Sequence, residues 1–294
     1  MEKYRSTADP STGIHPFIPP TFHPFRPLLR PILTLLRLPF FIILFPPFLL
    51  LNSFLFLLPS LLSYPLRRIL DKLFIPYILL SLSVIPTYPT IEQPRVRGAV
   101  RGKHPSRSDI LLANSTSPID ILLLSFAYSP TFAVPSDTPS HVHPLTLSQA
   151  LLQTCTTPSI PKSPPQTLKQ LLRRNGPISI LAEGCSTNGK GVLRFRFTPN
   201  PQSIPDNSVL YAAGISYTPR GAGCRTIQSM SSALLHAMGE WRISARIRLT
   251  AVPQDGAEHQ ACVATLAGVP PLKIDLESGR RFAQHWKDTA SCKS

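Results

Sequence analysis

Two short blocks hold the residue types that could do chemistry in this chain: Asn114-Ser115-Thr116-Ser117-Pro118-Ile119-Asp120, and Leu181 to Gly191, LAEGCSTNGKG. Gly184 to Lys190 spells G-x-x-x-x-G-K, the outline of a loop that cradles nucleotide phosphates. Its details do not fit. Such a loop follows lysine with Ser or Thr to hold magnesium, and then opens a helix whose N-terminus meets the phosphates. Here Gly191 takes the magnesium-ligand position, and Glu183 stands directly before the loop. Val192 to Phe197 alternates apolar and basic residues, which predicts a strand. An ATPase or kinase is therefore disfavoured. Asn188-Gly189 is also a hairpin-turn dipeptide, so a glycine-rich turn between strands is the structural alternative.

Placing these blocks requires a scaffold, and the chain has length for a substantial core at 294 residues. Its formal net charge of +15 calls for an anionic partner, nucleic acid or an acidic membrane surface. Placement favours membrane. Arg26, Arg30, Arg37, Arg67, Arg68 and Lys72 flank apolar runs, and Arg95, Arg97, Arg101, Lys103 and Arg107 lie just beyond them. Basic residues are not interleaved with aromatics on a compact segment, so no nucleic acid is expected as partner. Cys155, Cys185, Cys224, Cys262 and Cys292 are odd in number and form no C-x-x-C pair, which suggests neither a disulfide framework nor a zinc site.

Residues 1–26 are polar and proline-punctuated and read as a disordered tail. No charge occurs from Leu38 to Leu66, but Pro46-Pro47 interrupts that run, and adjacent prolines break helices. Two legs, 32–45 and 48–58, result, each short of the ~20 helical residues that cross a bilayer. The reading is a re-entrant hairpin in one leaflet, with a kinked spanning helix as alternative. LRRILDK at 66–72 reads as an amphipathic connector and 73–85 as a membrane-surface helix. Residues 27–91 form the membrane part and 92–294 an α/β domain. Strands are predicted over 109–113, 178–182, 209–215 and 243–251, with helices over 119–127, 145–154, 168–174 and 230–238. That alternation gives an α/β fold, a mixed and largely parallel sheet flanked by helices. A last helix is expected near 278–286.

The order of apolar hairpin, basic segment, NSTSPID, helix, AEGCSTNGKG and the late block VLYAAGISYTP resembles the acyl-CoA-dependent lysophospholipid (1-acylglycerol-3-phosphate) acyltransferase family, in particular the fungal lysophosphatidic acid:oleoyl-CoA acyltransferases. The resemblance spans residues 30–220, with specificity in the two blocks. It implies a membrane-bound transferase of the endoplasmic reticulum and lipid droplets, with the catalytic domain in the cytosol. The bilayer, a lysophospholipid and acyl-CoA would be its partners, with no metal or other cofactor because acyl-CoA is a co-substrate. The family's first block is N-H-x-x-x-x-D, in which histidine takes the proton of the acceptor hydroxyl and aspartate orients it. Asp120 matches the aspartate, Asn114 also fits, and Ser115 holds the histidine position. A serine hydroxyl is no base near neutrality, so either Asp120 acts through water beside Ser115, a distant His104, His141 or His143 enters the site, or the chain keeps only a lipid-binding site. The second block implies acceptor binding by Glu183, Gly184, Cys185, Ser186, Thr187, Asn188, Gly189 and Lys190, with Lys190 as phosphate cation, Arg194 in support and Cys185 as a small packing residue. CoA phosphates would meet Arg97, Arg101 and Lys103. Asn114-Ser115-Thr116 also spells an N-glycosylation sequon.

Overall fold

Apolar runs bounded by turn residues build the centre of the molecule. The structure, a computed structural model, describes residues 7–18, 29–55, 60–92, 104–136, 141–154, 164–172, 176–195, 197, 199, 204–205, 208–221, 230–254 and 258–291. Helices α1 (Leu29–Leu55) and α2 (Ser60–Ser81) come first, then short strands β1 (Val84–Pro86) and β2 (Thr90–Ile91). The sequence continues with β3 (Ile110–Ala113), α3 (Pro118–Tyr128), β4 (Thr131–Pro135), β5 (His141–Leu145), α4 (Leu147–Gln153), β6 (Gln166–Thr167) and α5 (Leu168–Leu172). It ends with β7 (Ile178–Leu181), β8 (Leu210–Thr218), α6 (Met230–Gly239), β9 (Ile243–Ala251), α7 (His259–Ala267) and α8 (Leu276–Ser291).

The strands form one sheet in the order β1-β9-β8-β3-β7-β4-β5-β6, with β2 also on β9. β3 is parallel to both β7 and β8, and β4 is parallel to β7. Antiparallel pairs occur at β8/β9, β4/β5 and β5/β6. The fold is thus α/β with a mixed, mostly parallel sheet. Every residue of β3 and β7 is buried, because helices cover both faces. Phe48 of α1, Ile75 of α2, Ile121 of α3 and Met238 of α6 pack over one face. Leu171 of α5 and Val263 of α7 pack over the other.

Four expectations differ from the structure. The chain stays helical through Pro46-Pro47, so α1 is one helix rather than two legs. Phe41, Phe45, Phe48 and Asn52 form a single buried stripe across the prolines, and packing along that stripe outweighs the lost hydrogen bonds. α1 and α2 pack on each other, with Phe48 stacked near Phe74, and LRRILDK is helical within α2 rather than a connector. α1 is also pinned at its N-terminal half. Arg30 pairs with Glu240 at 2.7 Å, and Arg37 donates to the Met238 and Glu240 carbonyls at 2.7 and 2.6 Å and to Ser83 Oγ.

Residues 7–18 of the expected tail are docked on the domain. Asp9 accepts from the Lys273 backbone N–H at 2.8 Å, and Phe17 lies in an apolar cluster with Cys185, Leu193, Leu272 and Phe282. The segment 192–197 adds no strand to the sheet. Val192 instead makes an isolated bridge to Pro271, and Arg194 N–H donates to Ile274 at 2.9 Å. Its alternation serves two cores: Val192 packs into the α7-side cluster and Leu193 into that of Phe17. The β4-β5-β6 extension was not expected. Arg26, Arg95, Arg97, Arg101, Lys103, Cys155, Cys224 and Cys292 lie outside the described residues.

Candidate functional site

The corner between β3 and α3 holds the first block. Asn114 leaves β3 and locks onto β8: its amide donates to the Ile215 carbonyl at 3.1 Å and accepts from Ile215 N–H at 2.7 Å. Both ends of that amide are occupied and the residue is buried, so the sequon lies in the interior. Ser117 caps α3, accepting from Ile119 N–H at 3.1 Å, and Pro118 follows at the first turn, where its missing N–H costs nothing. Asp120 completes the capping box. Its Oδ2 accepts from Thr116 N–H at 2.7 Å, Ser117 N–H at 2.9 Å and Thr116 Oγ1 at 3.0 Å. Its Oδ1 accepts from Tyr217 of β8.

Glu183, just after β7, ties the second block to the first. It accepts from Ser115 N–H at 2.9 Å and from Leu193 N–H at 3.1 Å, while Thr187 N–H donates to the Ser115 carbonyl at 3.3 Å. Burial pushes the Asp120 carboxyl up to about 6, against the pull of its donors. Burial also lifts Glu183 to about 8, and the nearby Asp120 charge adds to the rise.

Beyond Glu183 the block spends its side chains on its own architecture. Ser186 donates to the Thr154 carbonyl at 2.7 Å. Asn188 donates from its side-chain amide to the His15 and Ile18 carbonyls at 2.7 and 3.0 Å, and from its backbone N–H to the Pro16 carbonyl at 2.8 Å. Gly184 and Gly189 sit at φ of +72° and +71°, which favours glycine. Cys185 points into the Phe17 cluster, and burial raises its thiol well above the ordinary range, so it packs rather than contacts a ligand. Lys190 is exposed.

A cavity of about 580 Å³ opens beside the corner. Asn114, Thr116 and Tyr217 line one side, the backbone of Gly189 and Gly191 another, and Arg220, Arg246 and Arg248 a third. Of the expected binding residues only Asn114 and Gly189 border it; Glu183, Gly184, Cys185, Ser186, Thr187, Asn188 and Lys190 do not. Arg194 lies at a separate recess with Asp275 and Glu277. None of the three histidines reaches the corner. His141 and His143 are on β5, with β7 and β4 between it and β3. His104 precedes the start of β3, whereas the site lies past its end. Sequence reasoning missed Tyr217 and the three cavity arginines. Tyr217 stands in the late block VLYAAGISYTP, whereas the arginines lie outside every recognised block.

No family model matches the chain. A Schizosaccharomyces pombe protein provisionally named a lysophosphatidic acid:oleoyl-CoA acyltransferase is 30% identical over 231 residues, 74% of either chain. The crystal structure of a 1-acyl-sn-glycerophosphate acyltransferase from Thermotoga maritima aligns over 81% of this chain and 96% of its own. Its identity is 14% and its TM-score 0.40, too loose a likeness to carry weight. On the identity and coverage of the fungal relative, the chain belongs to the lysophosphatidic acid acyltransferase family.

Proposed function

We propose that the protein is a membrane-associated acyltransferase that moves an acyl chain from acyl-CoA to lysophosphatidate or a related lysophospholipid. One observation carries the reading: Ser115 N–H donates to Glu183, so blocks 68 residues apart meet in one buried corner at the mouth of a cavity. The fungal relative's name supports the choice of substrates. No metal or prosthetic group enters, since the thioester brings its own activation.

Attack by the acceptor hydroxyl on the thioester carbonyl forms the ester and expels the CoA thiolate, and the hydroxyl proton must leave as the bond forms. Tyr217 borders the cavity and is hydrogen-bonded to Asp120. The proton passes to the Tyr217 oxygen as the phenolic proton passes to Asp120, whose raised pKa of about 6 suits a base near neutrality. The apolar outer faces of α1 and α2, with Leu36 and Leu50 exposed, rest on the bilayer and admit both lipids from one leaflet. α1 is long enough to span, yet its buried stripe is held against the domain, which favours lying on the membrane. The endoplasmic reticulum or lipid droplet surface, with the domain in the cytosol, fits this arrangement.

A second reading rests on Ser115 and on the full occupation of both Asp120 oxygens: a lipid-binding relative that has lost turnover. Oleoyl transfer from oleoyl-CoA to lysophosphatidate by the detergent-solubilised protein separates the two. Activity that falls roughly a hundredfold or more in Asp120→Ala and Tyr217→Phe supports the enzyme. A silent wild type that gains turnover in Ser115→His supports the binding protein. Silence in all variants across several lysolipids removes the acyltransferase reading.

A further inference from the structure

We infer that Arg220, Arg246 and Arg248 form the phosphate-recognition site of the cavity, resting on the acyltransferase reading for the identity of the phosphate. Arg246 and Arg248 stand two residues apart on β9, so both point to the same face of the sheet. Opposite them in register on β8 are Ser216 and Gly214, both small, and the end of α7 packs directly over Gly214. Arg220 follows β8 and reaches the same place from the other side, its Nη2 lying 3.5 Å from the Gly268 carbonyl at the end of α7. Gly268 also faces Arg248: a Cβ there would come within 3.4 Å of Arg248 Nη2.

Three guanidinium groups share this cavity with little to neutralise them. Arg248 meets Glu92 at 3.3 Å, an ion pair with the carboxylate 44% exposed. Its Nε is buried and has no hydrogen-bond partner. A buried guanidinium N–H without an acceptor is costly, and one is expected where a ligand supplies the oxygen. Among the described residues Arg246 has no ion pair, and no acid other than Glu92 pairs with the cluster. The repulsion among the three groups is relieved by a dianion, and guanidinium forks match phosphate oxygens two at a time. Lys190 and Arg194, the cations suggested by motif position, do not border the cavity. The cations of this site thus come from β9 and the segment after β8, with only the backbone of the glycine-rich loop beside them. The phosphate is that of a lysolipid headgroup or one of those on CoA, and either ester presents the same oxygens.

Binding and turnover together test this on the full chain in detergent. Thermal unfolding is followed with glycerol 3-phosphate, with adenosine 3′,5′-bisphosphate, and with glycerol as the uncharged control. The wild type is expected to be stabilised by one of the two phosphates and not by glycerol. Arg246→Gln and Arg248→Gln should each weaken that binding about tenfold or more, and Arg246→Lys less. Loss confined to glycerol 3-phosphate assigns the site to the acceptor headgroup; loss confined to the bisphosphate assigns it to CoA. In the transfer assay the same variants raise KM for the corresponding substrate more than they lower kcat. Arginine-dependent binding without turnover keeps the site and overturns the enzyme reading. Turnover with binding and KM unchanged in both variants overturns the site, as does equal stabilisation of wild type and variants.

Discussion

Asp120 and Glu183 are buried carboxyls whose neutral forms the fold prefers, and this sets the direction of a pH effect. For Glu183 the carboxyl ordinarily titrates at 4.5 and in the fold at about 8. Below the lower value both folded and unfolded chains carry the proton, and the contribution to stability is complete. As pH rises toward 8 the unfolded chain ionises freely while the folded one resists, so stability falls through that window. The slope approaches roughly 1.4 kcal/mol per pH unit where one proton separates the states. Asp120 adds a smaller loss over its own interval, from 3.8 to about 6. Glu183→Gln, which cannot ionise, should flatten the decline; urea unfolding at pH 5, 6, 7 and 8 measures it. A variant as pH-sensitive as the wild type would mean that Glu183 stays ionised in the fold.

At the scale of elements, the cavity depends on how closely α7 approaches β8. Gly214 lies beneath the end of α7, and a Cβ there would collide with the Ala267 and Leu266 backbone, which cannot step aside as a side chain would. Gly214→Ala should cost about 1–3 kcal/mol of stability, read from urea midpoints, and should weaken phosphate binding by shifting Gly268. The central strands were legible because β3, β7 and β8 are apolar runs and β9 alternates apolar with polar residues over its predicted span of 243–251. The β3–α3 corner was legible too, since Ser117-Pro118 before an apolar run with Asp120 at the third position is a helix-start signature. The continuity of α1 was hidden because packing, not local propensity, carries the helix past Pro46-Pro47. The cavity arginines were hidden because alternation along β9 shows that Arg246 and Arg248 share a face but not what that face looks into. Residues 7–18 carry no periodic signal; their order comes from single contacts such as Asp9 with Lys273 and Pro16 with Asn188.

For the whole molecule, the proposed membrane association makes the apolar outer surface of α1 and α2 the face that would dock on a bilayer. Leu36 and Leu50 are 63% and 73% exposed and contribute little to the core. Replacing both with glutamate should leave the melting temperature in detergent unchanged. Each leucine entering lipid contributes about 1.5–3 kcal/mol, so with both replaced partitioning should fall about a hundredfold or more. Sedimentation with vesicles of phosphatidylcholine and phosphatidylserine measures it, and undiminished binding would place the contact surface elsewhere. The anchoring of α1 has a further consequence for how the protein is made. Arg37 takes its acceptor from Met238, 201 residues later, and Arg30 pairs with Glu240, 210 residues later. During synthesis the greasiest helix therefore leaves the ribosome with α2 close behind it but long before its anchors at the end of α6 exist. Over that interval it must be shielded by a membrane or a chaperone, and its final seating is among the last steps of folding.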